Sequence, residues 1–551
     1  MTGVQTCALP IFQRLYHTLE AAQPNAGFDQ WHCLLRGPLE VARFERAWRG
    51  VFARHPILRT AFADEAQHVA PDAAPALRLE NWRDLSPAQQ AKRLAEFLRA
   101  DRERGFDLSQ PPLTRLALLR LRDDEWRFVW SHHHLQIDGW SWPLLFREVG
   151  ALYSGATLAP APPYRDYIEW QQRQPIAASE DFWRNNLRGF TDATPLPVRL
   201  PRSSDAGTEF HEETLRLSSA ATTALRDLAR RSHVTLNVLV QTAWALLLGR
   251  SAGRGDIVFG ASFSGRPADL PGVENIAGPF VNNLPIRVGI EGAEPLSALL
   301  RRVQAGLFEL NEHQSTPLTQ IQEWSEMPWH SRLFESLLVF QNYLVDDAAS
   351  RLGDGVTIHD LVAPVRTNYP LTIVAIPGPE LALTAIAPAS AFTPPALAQW
   401  LAQLTAVLEA MCAADAPTAA ELQALIPAPA PAKPAAVRAR SATFIAPRTP
   451  TEHAIAAVWR EAFRTENVGI QENFFDLGGH SLLMIRVHAR LRETLRSDIS
   501  VVRMFQHPTI ESLARYLDGG QPQKSASADI AARAERQKAA LARQRLITRQ
   551  Q

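Results

Sequence analysis

The alternation of apolar and polar residues along this chain predicts a long mixed α/β region. Residues 85–103 place Leu94, Phe97 and Leu98 at helical spacing, so we predict an amphipathic helix there. Residues 116–130 predict two strands, because the apolar runs LALLRL and WRFVW flank a polar Asp-Asp-Glu turn. Four later segments are also predicted as regular elements: helices at 222–232, 235–250 and 394–411, and a strand at 256–262. No repeat of fixed period interrupts this alternation, which argues against a solenoid.

A proline- and alanine-rich segment, IPAPAPAKP at residues 426–434, separates this region from a smaller helical one. Its prolines block both helix and sheet hydrogen bonds, so we expect a semi-extended spacer. Helices are predicted from Pro450 to about Phe463 and from 481 to 495, followed by two short ones. The domains expected from these patterns are a body at 12–425, a linker at 426–447, a helical bundle at 448–519 and a tail at 520–551.

Composition and charge narrow the classes of function. The 551 residues include 57 basic and 57 acidic side chains, and this zero net charge argues against a nucleic-acid partner held by electrostatics. Three cysteines, Cys7, Cys33 and Cys412, cannot form a disulfide framework, and no Cys-x-x-Cys pair indicates a metal site. The longest apolar stretch, near 238–249, is too short to cross a bilayer. We therefore expect a cytoplasmic protein with no membrane segment and no metal.

The first eleven residues, MTGVQTCALPI, form a separate case. They lack the basic start and the cleavage site of a signal peptide. They resemble the translation of a sequencing adapter, so we treat residues 1–11 as an expected artefact and leave them out of the fold prediction.

The sequence SHHHLQIDGW at residues 131–140 is the first candidate site, because it follows a predicted strand directly. Histidine suits proton transfer near neutral pH, and His133 and His134 stand where a strand end can face a cleft. Asp138 and Gly139 indicate a tight turn with a carboxylate in a structural role. A metal cluster and a set of buried, hydrogen-bonded histidines are the alternatives, although no second ligand cluster supports a metal.

The sequence FFDLGGHSLL at residues 474–483 is the second candidate site. Its two glycines predict a tight, exposed loop, and Ser481 then begins a helix. One reading is that Ser481 is a helix cap and nothing more, since serine is favoured at that position. The helix N-terminus also favours an anion, so a phosphodiester on this serine is the alternative.

The segment HHxxxDG followed by Trp-Ser resembles the signature of condensation domains in nonribosomal peptide synthetases. Five other segments, in order and at sensible spacing, resemble further blocks of that family: 54–62 (RHPILRTAF), 164–171 (YRDYIEWQ), 264–287 (SGRP to LPIR), 311–322 (NEHQSTPLTQIQ) and 333–343 (LFESLLVFQNY). The resemblance implies two lobes, each like chloramphenicol acetyltransferase, that form a V-shaped pseudo-dimer around an active-site tunnel. The lobes would comprise residues 12–173 and 174–425.

The same resemblance implies roles for single residues. His134 would be the functional histidine and His133 its companion, while Gly139 would let the backbone approach the tunnel. Asp138 would be a structural acid paired with an arginine, for which Arg266 is the first candidate and Arg59 the second. The sequence departs from the family where Gln341 replaces a commoner glutamate, and where little of the opening block remains at residues 13–19.

Residues 446–517, with NFFDLGGHSLL, resemble a peptidyl carrier domain. This implies that Ser481 carries 4′-phosphopantetheine, which a separate phosphopantetheinyl transferase would attach. The implied fold class is thus an α/β two-lobed body followed by an all-α four-helix carrier bundle.

Together the two resemblances imply an enzyme that joins a carrier-bound donor acyl group to a carrier-bound amino acid as an amide. An acyltransferase with a soluble acceptor, an epimerization domain and a non-catalytic recruitment module are the alternatives. Heterocyclization is disfavoured, because that branch has aspartates where His133 and His134 stand. The implied partners are an adenylation domain in trans or on another subunit, an upstream donor carrier, and a downstream synthetase or polyketide synthase subunit. The basic tail at 533–549 could dock such a protein or remain solvated.

Overall fold

The computed structural model forms two compact units, Met1–Arg438 and Ala439–Gln551. It describes residues 6–8, 25, 27–63, 66–196, 210–328, 331–342, 351–413, 417–427, 444–474, 477, 479, 481–495, 499 and 501–519. The linker core at 428–443, the tail after residue 519 and the opening segment at 13–19 lie outside these residues, and so do the expectations for them.

In its described residues, the first unit contains three sheets. Its strands are β1 (Thr6–Ala8), β2 (Phe28–Arg36), β3 (Thr60–Ala63), β4 (Ala66–Val69), β5 (Leu77–Asn81), β6 (Thr114–Arg122), β7 (Glu125–His133), β8 (Phe210–Arg216), β9 (Asp256–Phe263), β10 (Asn282–Gly289), β11 (Ser336–Phe340), β12 (Arg351–Gly353), β13 (Val356–Val362), β14 (Leu371–Ile376) and β15 (Ala382–Pro388). The two large sheets have the orders β12-β13-β2-β7-β6-β5 and β10-β9-β11-β14-β15-β8. The two large sheets agree with the two-lobed α/β fold that the family resemblance implied.

The helices of the first unit cover these sheets. They are α1 (Val41–Arg54), α2 (Pro87–Arg104), α3 (Ser141–Tyr153), α4 (Tyr164–Gln172), α5 (Ile176–Asn186), α6 (Ser219–Arg231), α7 (Leu236–Ala252), α8 (Leu296–Glu312), α9 (Leu318–Trp324), α10 (Pro394–Ala410) and α11 (Ala419–Ala424), with short 3-10 turns at Pro56–Arg59 and Val273–Asn275. The predicted helix at 85–103 is confirmed as α2, which begins with a capping box between Ser86 and Gln89. The predicted strand pair at 116–130 is confirmed as the antiparallel pair β6 and β7.

Burial explains how these elements stack. One face of the first sheet packs against α1 and α3 through an aromatic cluster that includes Trp48, Trp130 and Phe146. The other face packs against α2 around Trp82. In the second sheet's core, α7 buries every residue from Val238 to Gly249, so it is a central helix without a polar face.

The division into lobes does not follow the order of the chain. Strand β13 comes late in the sequence but pairs antiparallel with β2 of the first sheet, with Ile358 opposite Leu35. The late segment therefore completes the first sheet, and the boundary at residue 173 stays a proposal. The small third sheet pairs β1 with β4, so Thr6–Ala8, which we left out of the fold prediction, takes part in a sheet.

The described part of the second unit consists of four helices, α12 (Pro450–Phe463), α13 (Ser481–Leu495), α14 (Val501–Gln506) and α15 (Ile510–Leu517). Helix α12 begins with a capping box between Thr449 and Glu452 and packs against α13 and α15. Trp459, Phe463 and Phe474 form an aromatic centre with edge-to-face ring contacts. Within the described ranges of the chain, no helix is long and apolar enough to cross a membrane.

Candidate functional site

Sequence blocks that are far apart in the chain meet beside the HHxxxDG loop. Tyr164, the first residue of α4, donates a hydrogen bond of 2.7 Å from its hydroxyl to the carbonyl of Pro279. Gly278 lies so close to the Tyr164 ring that a Cβ there would be 2.1 Å from Cδ2. The YRDY and AGPF segments are therefore in direct contact, and only glycine fits between them.

Asp138 joins this cluster to the first sheet. Its side chain is fully buried, and Oδ1 accepts 2.9 Å hydrogen bonds from the backbone N–H and the hydroxyl of Ser141. Oδ2 accepts hydrogen bonds of 2.9 and 3.1 Å from the backbone N–H groups of Phe280 and Val281. Four donors thus compensate the buried charge, which burial alone would make costly.

Arg266 is the candidate arginine that reaches Asp138, with Nη2 lying 3.6 Å from Oδ1. It also donates to the carbonyls of Val273 and Ile276 at 2.9 Å and lies over the ring of Phe280. Burial lowers the pKa of Arg266 below its usual value, although the charge of Asp138 offsets part of this effect. The second candidate lies elsewhere: Arg59 donates instead to backbone carbonyls, among them those of Phe52 and Pro71.

His133, the last residue of β7, is fully buried within the first lobe. Its ring packs against the edge of Phe106 and against Gly27, where a Cβ would lie 2.3 Å from Cε1. Nδ1 accepts a 3.1 Å hydrogen bond from the backbone N–H of Leu135. These contacts are those of a residue that shapes the loop.

His134 lies on the side of the strand end that faces Asp29 of β2. The two atoms His134 Nδ1 and Asp29 Oδ2 are 3.1 Å apart, and the His134 side chain is 19% exposed. Burial on its own lowers the pKa of His134, but the charge and hydrogen bond of Asp29, with smaller contributions from Asp138 and the backbone of Ile137, raise it above the ordinary histidine value. Asp29 thus stabilises the protonated form of His134 relative to burial alone, and the histidines in turn lower the pKa of Asp29 against the effect of burial.

A cavity of about 110 Å³ opens beside this pair. Residues of the first sheet and its loops, including Asp29, His134 and Gly139, form one wall, and residues of β9, β10 and β11 form another. Gly139 lines the cavity, and its role in letting the backbone approach the tunnel stays a prediction. Gln341 lines the same cavity, so this departure from the family pattern lies at the site itself.

Ser481 is the first residue of α13 in the second unit. The preceding loop is tight: the backbone N–H of Gly479 donates to the carbonyl of Phe474 at 2.9 Å, and a Cβ at Gly479 would lie 2.2 Å from Cδ1 of Phe474. A glycine-dependent loop that leads into a helix N-terminus fits an attached phosphodiester. The positions Asp476, Gly478 and His480 of this motif lie outside the described residues.

Sequence reasoning missed Asp29, Ser141 and the backbone donors at Phe280 and Val281. Asp29 lies directly opposite His132 in the β2–β7 pair, so the signal is a register between distant strands. Hydrophobic patterning alone does not provide this register. Ser141 could have been found from the sequence, because it follows Asp138 by three residues, where its backbone N–H can donate to the Asp138 carboxylate.

Comparison with known families identifies both domains. Residues 5–428 match the condensation domain family, and residues 453–517 match the phosphopantetheine attachment site family. Since the first match covers most of the chain, the protein belongs to the condensation domain family. It is a condensation domain followed by a phosphopantetheine-binding carrier domain, as found in nonribosomal peptide synthetases.

Two of the similar curated proteins belong to the linear gramicidin synthase of Brevibacillus parabrevis. The chain is 42% identical over 364 residues to one of them, and the match covers 62% of this chain and 7% of that protein. It is 39% identical over 412 residues to the other, and the match covers 72% of this chain and 5% of that protein. The chain therefore spans only a small part of the curated relatives that it matches.

Among solved structures, the condensation domain of the Monacolin K polyketide synthase MokA superposes with a TM-score of 0.66 at 19% identity, covering 76% of this chain and 99% of that one. The X-domain from teicoplanin biosynthesis superposes with a TM-score of 0.65 at 24% identity, covering 76% of this chain and 98% of that one. These likenesses establish the two-lobed fold.

Proposed function

We propose that this protein forms an amide bond between a carrier-bound donor acyl group and a carrier-bound acceptor amino acid. The observation that carries the proposal is His134, which lines a cavity between residues of both large sheets in a chain that also contains a carrier domain. The cavity is lined by apolar side chains together with polar ones such as Ser262 and Asn283. Such a site can bind tethered acyl groups while excluding water.

In the proposed reaction the acceptor amine attacks the donor thioester carbonyl, so that a C–N bond forms and the C–S bond breaks. The amine loses a proton, and the departing sulfur leaves as a thiol. His134 would exchange this proton or hold the amine in position, and its ring lies at the cavity for either role. Asp138 and Arg266 would act by keeping the loop of His134 against the second lobe, because both are buried away from the reacting groups. Holding both reactants in one cavity supplies much of the rate.

We further propose that Ser481 holds 4′-phosphopantetheine, which carries the acceptor as a thioester. The proposed partners are a phosphopantetheinyl transferase, an adenylation domain on another chain, an upstream donor carrier and a downstream synthetase or polyketide synthase subunit. A cytoplasmic setting is part of the same proposal, and the two free cysteines Cys33 and Cys412 agree with it.

The test is a reconstituted reaction with the full chain. A promiscuous phosphopantetheinyl transferase would load Ser481 from a panel of aminoacyl coenzyme A compounds, and acyl N-acetylcysteamine thioesters would serve as donors. We expect amide product on the carrier by mass spectrometry, and loss of most of it in His134→Ala. His359→Ala is the matched control, because this histidine is exposed on β13, where it hydrogen bonds to Thr357.

The possible results separate the alternatives. Near-wild-type turnover by His134→Ala would contradict the assignment of the site. Product released from the protein as an ester or amide of a soluble alcohol or amine would favour the soluble-acceptor enzyme. A loaded carrier that never yields product with any donor in the panel would favour a recruitment module.

A further inference from the structure

Asp29 and His134 are brought together by strand pairing. In the antiparallel pair β2–β7, Asp29 stands directly opposite His132, and the backbone N–H of His134 donates to the carbonyl of Gly27 at 2.8 Å. Cross-strand neighbours and residues two apart share one face of a sheet, so Asp29, His132 and His134 lie on the same side. Asp29 therefore has a histidine directly opposite and another diagonally across.

We propose that Asp29 is a positioning residue that holds His134 through Nδ1, so that proton exchange with substrate proceeds at Nε2. This inference rests on the proposed function, since it assigns the residue that orients the histidine of that reaction. The distance of 3.1 Å between Asp29 Oδ2 and His134 Nδ1 is that of a close ion-pair contact. A carboxylate on one ring nitrogen fixes both the tautomer and the orientation of an imidazole.

The contrast with His132 indicates which histidine Asp29 serves. His132 Nε2 lies 3.6 Å from the same carboxylate oxygen, which is beyond a good hydrogen bond. The His132 ring lies between the rings of Trp31 and Trp130, at centroid distances of 5.5 and 5.0 Å. Burial lowers the pKa of His132 to about 4, so at neutral pH it is an uncharged neighbour. His134 is therefore the histidine with which Asp29 interacts more strongly.

Other charged or titratable groups surround the pair from several elements. Those that act on Asp29 or His134 are Arg102 of α2, Arg366 after β13, Asp138 of the HHxxxDG loop, and His132 and His133 of β7. Arg102 donates instead to Gln30 Oε1 at 3.4 Å, and Arg366 lies over the ring of Phe210. These contacts direct both guanidinium groups to other partners, while Asp29 keeps its short contact with His134.

The chemical role follows from the charge. The neutral form of His134, with its proton on Nδ1, takes the amine proton at Nε2 and becomes an imidazolium, and Asp29 stabilises that charge while remaining ionised. The same proton can then pass to the departing sulfur, which restores neutral His134. Asp29 neither gains nor loses a proton in this sequence, so it acts only through His134.

The first test is a titration that needs no substrate. The full chain, labelled with ¹³C at histidine Cε1, would be followed by NMR, and the His134 signal assigned by its loss in His134→Ala. We expect wild-type His134 to titrate above the ordinary histidine value of about 6.5, and Asp29→Asn to shift its midpoint downward. Asp29→Glu, which keeps the charge, should restore part of the shift, and Asp256→Asn, at an exposed pair with Arg287, should leave it unchanged.

The second test uses the reconstituted condensation reaction. We expect Asp29→Asn to lower kcat by about 10- to 100-fold, with a smaller change in KM and a shift of the pH profile to lower pH. Asp256→Asn should retain the wild-type profile. A purely structural role for Asp29 would lower the yield of folded protein without moving the pH profile of the folded fraction.

A wild-type His134 that titrates below about 6.5 would overturn the proposal, as would Asp29→Asn with an unchanged His134 midpoint. Should Asp29→Asn fail to fold, the wild-type titration decides, because burial without a carboxylate partner would keep His134 below the ordinary value. If the wild-type chain forms no amide while the titration gives the expected shift, the proposed function fails and the Asp29–His134 pairing stands.

Discussion

The backbone N–H of Phe280 donates a 2.9 Å hydrogen bond to Asp138 Oδ2, across 142 positions of the chain. This contact joins the HHxxxDG loop of the first lobe to the loop that precedes β10 in the second. Ser141 reinforces the contact, because its hydroxyl donates to Asp138 and accepts the backbone N–H of Gly278 at 3.0 Å. The acid of the motif therefore works as a link between lobes, with its charge shared among backbone and side-chain donors.

Replacing Asp138 with alanine should destabilise the first unit strongly. The change leaves the N–H groups of Phe280 and Val281 and part of Arg266 without their acceptor in a buried site, so we expect a loss of about 3–5 kcal/mol. Denaturant unfolding of the purified chain measures this. The control is Asp123→Ala, because Asp123 pairs with Arg83 at the surface and its loss should change stability far less. Equal effects of the two changes would contradict the linking role.

Substituting alanine at two glycines should change the stability of the first unit in opposite directions. Gly278→Ala would place a Cβ 2.1 Å from the Tyr164 ring, so we expect a destabilisation of about 1–3 kcal/mol by overpacking. Gly306→Ala meets nothing within 4 Å inside α8 and should stabilise the helix by about 0.5–1 kcal/mol. Thermal or denaturant unfolding measures both. A neutral Gly278→Ala would mean that Tyr164 does not need its contact with this loop.

Glu148 should give the first unit a stability that depends on pH. Burial raises the pKa of this carboxyl, but the hydrogen bonds and charges of His55, at 2.7 Å, and Arg54, at 3.0 Å, hold it below its ordinary value. Below about pH 4.5 the unfolded state therefore takes up a proton that the native state does not, and stability falls as pH drops through the native pKa.

The measurement is the free energy of unfolding of wild type and Glu148→Gln between about pH 7 and pH 3. We expect the variant to be less stable at neutral pH and the difference to shrink in acid. Glu169→Gln, at an exposed pair with Arg165, should show no such convergence. A constant difference between wild type and Glu148→Gln across this range would rule out the linkage.

Ser481→Ala should abolish attachment of phosphopantetheine without unfolding the second unit. The peptide that contains residue 481 would be analysed by mass spectrometry after coexpression with a phosphopantetheinyl transferase. Ser512→Ala, within the capping box of α15, should keep the adduct. An adduct that persists in Ser481→Ala, or that is absent from the wild-type peptide, would exclude this serine as the attachment site.

Local elements and motifs could be predicted from the sequence because they depend on nearby residues. Helix α2 follows from a cap and apolar spacing within one segment, and the strand pair β6–β7 from two apolar runs around a short turn. The HHxxxDG and GGHS motifs are similarly local, and they directed attention to His134 and Ser481. The choice of Arg266 over Arg59 needed the structure, since both arginines stand in matching segments and only their distance to Asp138 separates them.

The sequence by itself therefore determined the class of elements, the two candidate sites and the order of the two domains. Only the tertiary structure decided that β13 completes the first sheet, that Asp29 stands beside His134, and that Gln341 lines the cavity. These relationships depend on strand register and on packing between residues that are far apart in the chain. A one-residue shift in register would turn Asp29 to the other face of the sheet, and no local pattern of hydrophobicity specifies which strands become neighbours.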